Sequence, residues 1–163
     1  MSRSAAMRIM RPSGPCSSML AALILAAGSL PAVAADGAMA RFAPPAVAKP
    51  LDSVQFTPDD DVKCLADALE SGDPAKGAST ILLKAQPGCL VPWHYHSALE
   101  RVTVISGTLD MQMKGHASSR LGAGGFAEMP GKMAHQFACG AKSECLLMVT
   151  FDGVYDIVWG KGN

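Results

Sequence analysis

Three histidines and one glutamate set the chemistry open to this chain. His94 and His96 stand two residues apart in VPWHYHSALERVTVISG, a stretch rich in β-branched and aromatic residues. On an extended chain, side chains alternate between two faces, so residues i and i+2 share one. Glu100 follows four residues after His96, at the head of the next apolar run, where it can return to the same face. His135 comes later, in GGFAEMPGKMAHQFA. Imidazole nitrogens with a carboxylate oxygen form a donor set for Fe, Mn, Zn, Cu or Ni. A lone histidine carries no such reading. His116, in the loop KGHAS, stands alone and is assigned no role.

The elements that must hold these residues read as short strands. Thr80–Lys84, Arg101–Ile105, Gly125–Met129, His135–Ala138, Leu146–Phe151 and Val154–Trp159 are apolar runs separated by Gly, Pro and Asp. Thr108–Met113 alternates Leu109, Met111 and Met113 against Asp110 and Gln112, the period of a half-buried strand. Val62–Leu69 reads as a strand, with a helix as its alternative, and Glu70 to Pro74 as the turn after it. No segment carries a clear helical stripe. Many short strands joined by Gly-rich turns imply an all-β sandwich or barrel. Met111 and Met113 share a face and are read as core filling, which methionine does readily, before a thioether copper site. Trp93 and Tyr95 alternate with His94 and should face away from it. Asp59, Asp60 and Asp61 lack calcium-loop spacing and read as a solvated turn.

The flanks bound the setting. Arg3, Arg8 and Arg11 precede a 12-residue apolar run, Met19–Leu30, and Ala32-Val33-Ala34 offers a small-x-small cleavage site. Residues 1–34 therefore read as a secretory signal peptide, since a membrane span needs roughly 20 apolar residues. Residues 35–50, rich in Ala and Pro, read as a flexible lead-in, and 51–163 as one domain. The chain holds 14 basic and 14 acidic side chains and no Lys/Arg cluster, so nucleic acid is not an expected partner, nor is a stable membrane anchor. The expected setting is exported, periplasmic or secreted. Cys64, Cys89, Cys139 and Cys145 then have two readings. Cys139 could pair with Cys145 across the GAKSE loop, leaving Cys64 with Cys89, or all could be free and buried.

The residues from Gly88 to Gly107 read G-x5-H-x-H-x3-E-x6-G with every specified position filled. With Gly near 7% of residues and His and Glu at a few per cent, these five positions coincide by chance on the order of 10⁻⁵ times per chain. The stretch resembles the first motif of the cupin superfamily. The second cupin motif, G-x5-P-x-G-x2-H-x3-N, is matched in type and spacing by Gly124, Pro130 and His135. Lys132 stands where the family has Gly, and Cys139 where it has Asn. A glycine there would supply a positive φ, so Lys132 bears on the turn geometry. The whole is most similar to small single-domain bacterial cupins.

That resemblance implies an all-β fold, a jelly-roll β-barrel or double-stranded β-helix. It also implies a divalent transition metal held by His94, His96, Glu100 and His135. Phe126, Phe137, Met148 and Phe151 are expected to line the barrel. Arg101, alternating away from Glu100, should sit outside. The implied function is a metal-dependent oxygenase or related small-molecule enzyme, with Glu100 able to double as acid/base. The alternative is a non-catalytic metal or small-ligand binding module. No second acid/base group is evident near the motifs. The expected partner is a small-molecule ligand or substrate. Exposed strand edges present unpaired backbone groups, which is compatible with a homodimer.

Overall fold

The computed structural model describes residues 46–160. The expected signal peptide and residues 35–45 of the lead-in lie outside them. Within Val47–Gly160 the chain forms eleven strands and one 3₁₀ turn, Leu51–Ser53. The strands are β1 (Thr57–Pro58), β2 (Leu65–Gly72), β3 (Ser79–Ala85), β4 (Leu90–Tyr95), β5 (Glu100–Ser106) and β6 (Leu109–Met113). They continue as β7 (Ser119–Leu121), β8 (Phe126–Met129), β9 (His135–Cys139), β10 (Cys145–Phe151) and β11 (Val158–Trp159). A six-stranded sheet runs β1-β2-β3-β10-β5-β8, and a five-stranded sheet runs β11-β4-β9-β6-β7. Every pairing is antiparallel. The two sheets enclose the core as a jelly-roll barrel.

Period-2 patterning explains which side chains fill that core. Along β5, Glu100, Val102 and Val104 are buried while Arg101 and Thr103 are less so. Along β9, His135, Phe137 and Cys139 are buried. Met111 is almost fully buried and Met113 packs on the same core, as expected of filler. Arg101 lies outside, paired with Glu128 at 2.8 Å and Asp152 at 2.5 Å.

Several expectations are corrected. Val62–Leu69 is neither a helix nor quite a strand. The strand is shifted to Leu65–Gly72, because the Val62 carbonyl closes a turn on the Leu65 amide. The following turn begins at Asp73, whose Oδ1 accepts the Ala75 amide. Of Val154–Trp159 only Val158 and Trp159 are strand. Residues 152–157 instead cross the barrel end, tied by the Tyr155 amide to the Pro74 carbonyl at 2.8 Å. β1 and β7 carry no sequence signal strong enough to be expected. Phe126 and Met148 do not line the barrel. They occupy outward positions of β8 and β10 and are largely exposed, whereas Phe137 and Phe151 point inward.

Both disulfide pairings form. Cys64–Cys89 links the entry of β2 to the turn before β4, and Cys139–Cys145 closes the β9–β10 loop. Cys139, the departure from the second motif, is therefore used as a cross-link. Gly107, which closes the first motif, has φ 86°, and a Cβ there would meet the Glu144 carbonyl oxygen at 2.6 Å. Only glycine fits that approach between β5 and β10.

Candidate metal centre

The site is built where β4 and β9 pair and β5 begins. A β-bulge between Val91 and His94 shifts the β4 register against β9. A regular strand would place Val91 and His94 on opposite faces, yet both are buried. The extra residue resets the alternation, so His94 and His96 turn inward after Val91. Pro92 sits in the bulge, where its missing N–H leaves no gap in the ladder. His94 then pairs in register with His135. Glu100 enters from the other sheet, opposite Met129 of β8 and Phe151 of β10.

The four side chains converge. Their ligand atoms all lie within 4.8 Å of one another, and each residue is at most 5% exposed. Each imidazole is oriented by a backbone carbonyl. His94 Nδ1 lies 2.7 Å from the Pro92 oxygen, His135 Nδ1 2.9 Å from the Met133 oxygen, and His96 Nδ1 against the Asp156 oxygen. A carbonyl only accepts, so each Nδ1 carries the proton and each Nε2 presents a lone pair. Glu100 Oε2 lies 3.0 Å from His135 Nε2 and 3.5 Å from His96 Nε2. Both Glu100 Oε2 and His135 Nε2 are nevertheless buried without a hydrogen-bond partner. They converge with the other two ligand atoms on one point. Unpaired buried polar atoms are costly, at about 1–3 kcal/mol each, and a cation at that point would satisfy them together. The donor set fits a divalent transition metal.

Electrostatics agree with that reading. Burial, then the neighbouring His135, push His94 down to about 4, so it stays neutral at physiological pH. Burial opposes charge on His135 as well, but the Glu100 carboxylate outweighs it and shifts His135 upward.

Lys132 resolves the motif departure at this site. It holds φ 67°, the conformation glycine would supply, and donates its amide to the His96 carbonyl at 2.7 Å. The His96 loop is also held by Asp156, whose carboxylate takes the Ser97 amide at 2.7 Å and the Ser97 hydroxyl at 2.6 Å.

A cavity of about 210 Å³ opens onto His94, His96 and Glu100, while His135 is 1% exposed and closes the back. Its walls include Ile81, Leu83, Phe137 and Phe151. Trp93 and Tyr95 do not line it, in keeping with their alternation. Three features were missed from the sequence. Trp159 lies 5.3 Å from the His94 ring and Tyr155 5.4 Å from the His96 ring. Burial, then Asp59 and Glu100, push the Tyr155 phenol up to about 12. Asp59 and Asp67 also line the cavity. Asp59 caps a turn as expected, accepting the Asp61 and Val62 amides on Oδ1, but it faces the cavity too. His116 lies in an exposed turn away from the site.

Residues 81–151 match the family model of the cupin domain. The barrel has the cupin fold. Solved structures with the same fold include the DMSP lyase DddQ of Ruegeria pomeroyi, at 18% identity and TM-score 0.57, over 65% of this chain and 60% of that one. They include the polyketide cyclase RemF of Streptomyces resistomycificus, at 16% identity and TM-score 0.57, over 68% and 84%. A cupin-2 domain protein of Rhodospirillum rubrum aligns at 14% identity and TM-score 0.59, over 74% and 84%. The chain thus spans less than two thirds of the lyase. A search of curated proteins finds no match. At these identities the structural likeness speaks for the fold alone, and the chemistry has to be argued from the site itself.

Proposed function

We propose that this protein is an exported, metal-dependent cupin enzyme acting on a small molecule that reaches a divalent transition metal through the cavity. One observation carries the reading. His94, His96 and Glu100 face both the convergence point and the cavity, while His135 closes the far side. A bound metal would therefore be held from behind and approachable from the front. When bound, such a metal polarises an oxygen donor as a Lewis acid or, if redox-active, supports oxygenase chemistry. The chain's own residues orient the ligand imidazoles through Pro92, Met133 and Asp156, and the apolar walls exclude water. Glu100 is the carboxylate at the reacting end and the candidate acid/base.

The two disulfides support the export reading, since such links persist in oxidising compartments. N-terminal sequencing of the mature protein should begin at Ala35.

Native purification followed by elemental analysis tests the centre. About one metal ion per chain is expected, and His96→Ala should lose it. Unchanged metal content in that variant would refute the site. Fe, Mn or Cu with oxygen uptake would establish the oxygenase form, whereas zinc with no turnover on a substrate panel would leave a binding module.

A further inference from the structure

The three ligand imidazoles are not oriented in the same way. His94 and His135 each donate Nδ1–H to a carbonyl two residues back in the chain, Pro92 and Met133. Those bonds are local. His96 instead donates to the carbonyl of Asp156, 60 residues further on. One ligand of the centre is therefore aimed by a segment outside both motifs. A ligating imidazole depends on such a bond for its tautomer and its ring direction.

That segment, residues 152–157, is a strap between β10 and β11. The Asp152 amide bonds the Leu99 carbonyl at 3.1 Å, and beyond the strap Trp159 pairs with His94 of β4. Tyr155 and Ile157 line the cavity. Asp156, between them, directs its carboxylate to the Ser97 amide and hydroxyl instead. Asp156 thus makes two links to consecutive residues. Its carbonyl sets the His96 ring, and its carboxylate fixes where that carbonyl stands. The strap's other ties, to Leu99, Pro74 and β4, lie on either side of Asp156. A simple loop brace would account for the bonds to Ser97 but not for the carbonyl on His96.

We propose that Asp156 is the positioning residue for His96, and that through it the cover of the cavity and the grip on the metal move as one unit. An occupant that displaces Tyr155 or Ile157 shifts the carbonyl that aims His96. Metal bound at His96 in turn holds the strap in place. The two effects are one coupling free energy and are reciprocal. Asp156 is not among the four convergent ligands, so it acts through Ser97 and its own carbonyl. This inference rests on the metal-centre reading and adds how that centre is coupled to access.

The test titrates zinc into the metal-free full chain, with affinity read by competition against a chelating dye. Asp156→Ala should weaken zinc binding by about 10- to 100-fold, the range for lost outer partners of ligating histidines. Asp156→Asn should stay within about threefold of wild type, since a carboxamide can accept the Ser97 amide and donate to the Ser97 hydroxyl. Asp152→Ala, which frees the start of the strap from Arg101, should also stay within about threefold, because an exposed ion pair contributes little. Hydrogen exchange over residues 152–157 should slow when zinc binds the wild-type chain. That measurement stands even if the Asp156→Ala variant does not fold. Wild-type affinity in Asp156→Ala, equal losses in the two alanine variants, an asparagine variant as weak as alanine, or strap exchange indifferent to zinc would each overturn the coupling and leave the metal centre standing. Failure of the wild-type chain to bind zinc would overturn the metal centre, and this inference with it.

Discussion

His94 and His135 face each other in register across β4 and β9, their ring centroids 4.2 Å apart. Glu100 completes the cluster from the opposite sheet. A metal at this point would join the two sheets of the barrel. Binding to the folded state alone stabilises by mass action, by about 2.7 kcal/mol at a hundredfold excess over Kd, or roughly 10 °C in Tm for a domain of this size. Thermal melts with zinc and after chelation should differ by that order. His135→Ala should abolish the difference and weaken metal binding by more than ~100-fold, since even outer-shell losses cost 10- to 100-fold.

Lys132 stores a removable cost. Holding an L-residue at its φ of 67° costs about 1–2 kcal/mol. Glycine removes that cost but gives the unfolded chain about 0.4–1 kcal/mol of extra freedom. Lys132→Gly should therefore raise stability by roughly 0.5–1 kcal/mol. Denaturant unfolding checks this. Metal stoichiometry should not change, because the amide that meets the His96 carbonyl is kept.

Asp67 makes stability depend on pH in a defined direction. Its folded-state pKa lies above the ordinary value of 3.8. A carboxyl shifted this way favours the fold while protonated, and that contribution is lost as pH rises through the folded value. Near neutral pH Asp67 thus costs stability in the ligand-free protein. Asp67→Asn should melt at a higher temperature at pH 7, with the advantage shrinking as pH falls through the carboxyl range. Equal gains at all pH values would refute an electrostatic origin.

The two disulfides should contribute unequally. They span 25 and 6 residues, and loop-closure entropy gives about 3.5 and about 2 kcal/mol respectively. Replacing Cys64 and Cys89 together with serine should lower the denaturation midpoint more than replacing Cys139 and Cys145. Equilibrium unfolding of the two double variants measures the order.

Much of the centre was legible because its rules are local. The i and i+2 spacing of His94 and His96, and Glu100 at the head of a β-branched run, need only strand alternation to be read. The positive φ at Lys132 was legible for the same reason, since the motif asks for glycine at that position. The inward or outward choice at Phe126 and Met148 was not, because both faces of a two-sheet barrel carry apolar residues and the sequence pattern does not say which is core.

The sequence by itself determined the all-β class, the four candidate ligands and the cysteines available for bridging. Tertiary structure alone decided the bulge at Pro92, the arrival of Tyr155 and Trp159 beside the histidine rings, and the placement of Asp59 and Asp67 in the same cavity. Those depend on which strands pair and in what register. That choice is made by burial across the whole barrel, between residues as far apart as Asp67 and Tyr155, where no local spacing carries the information.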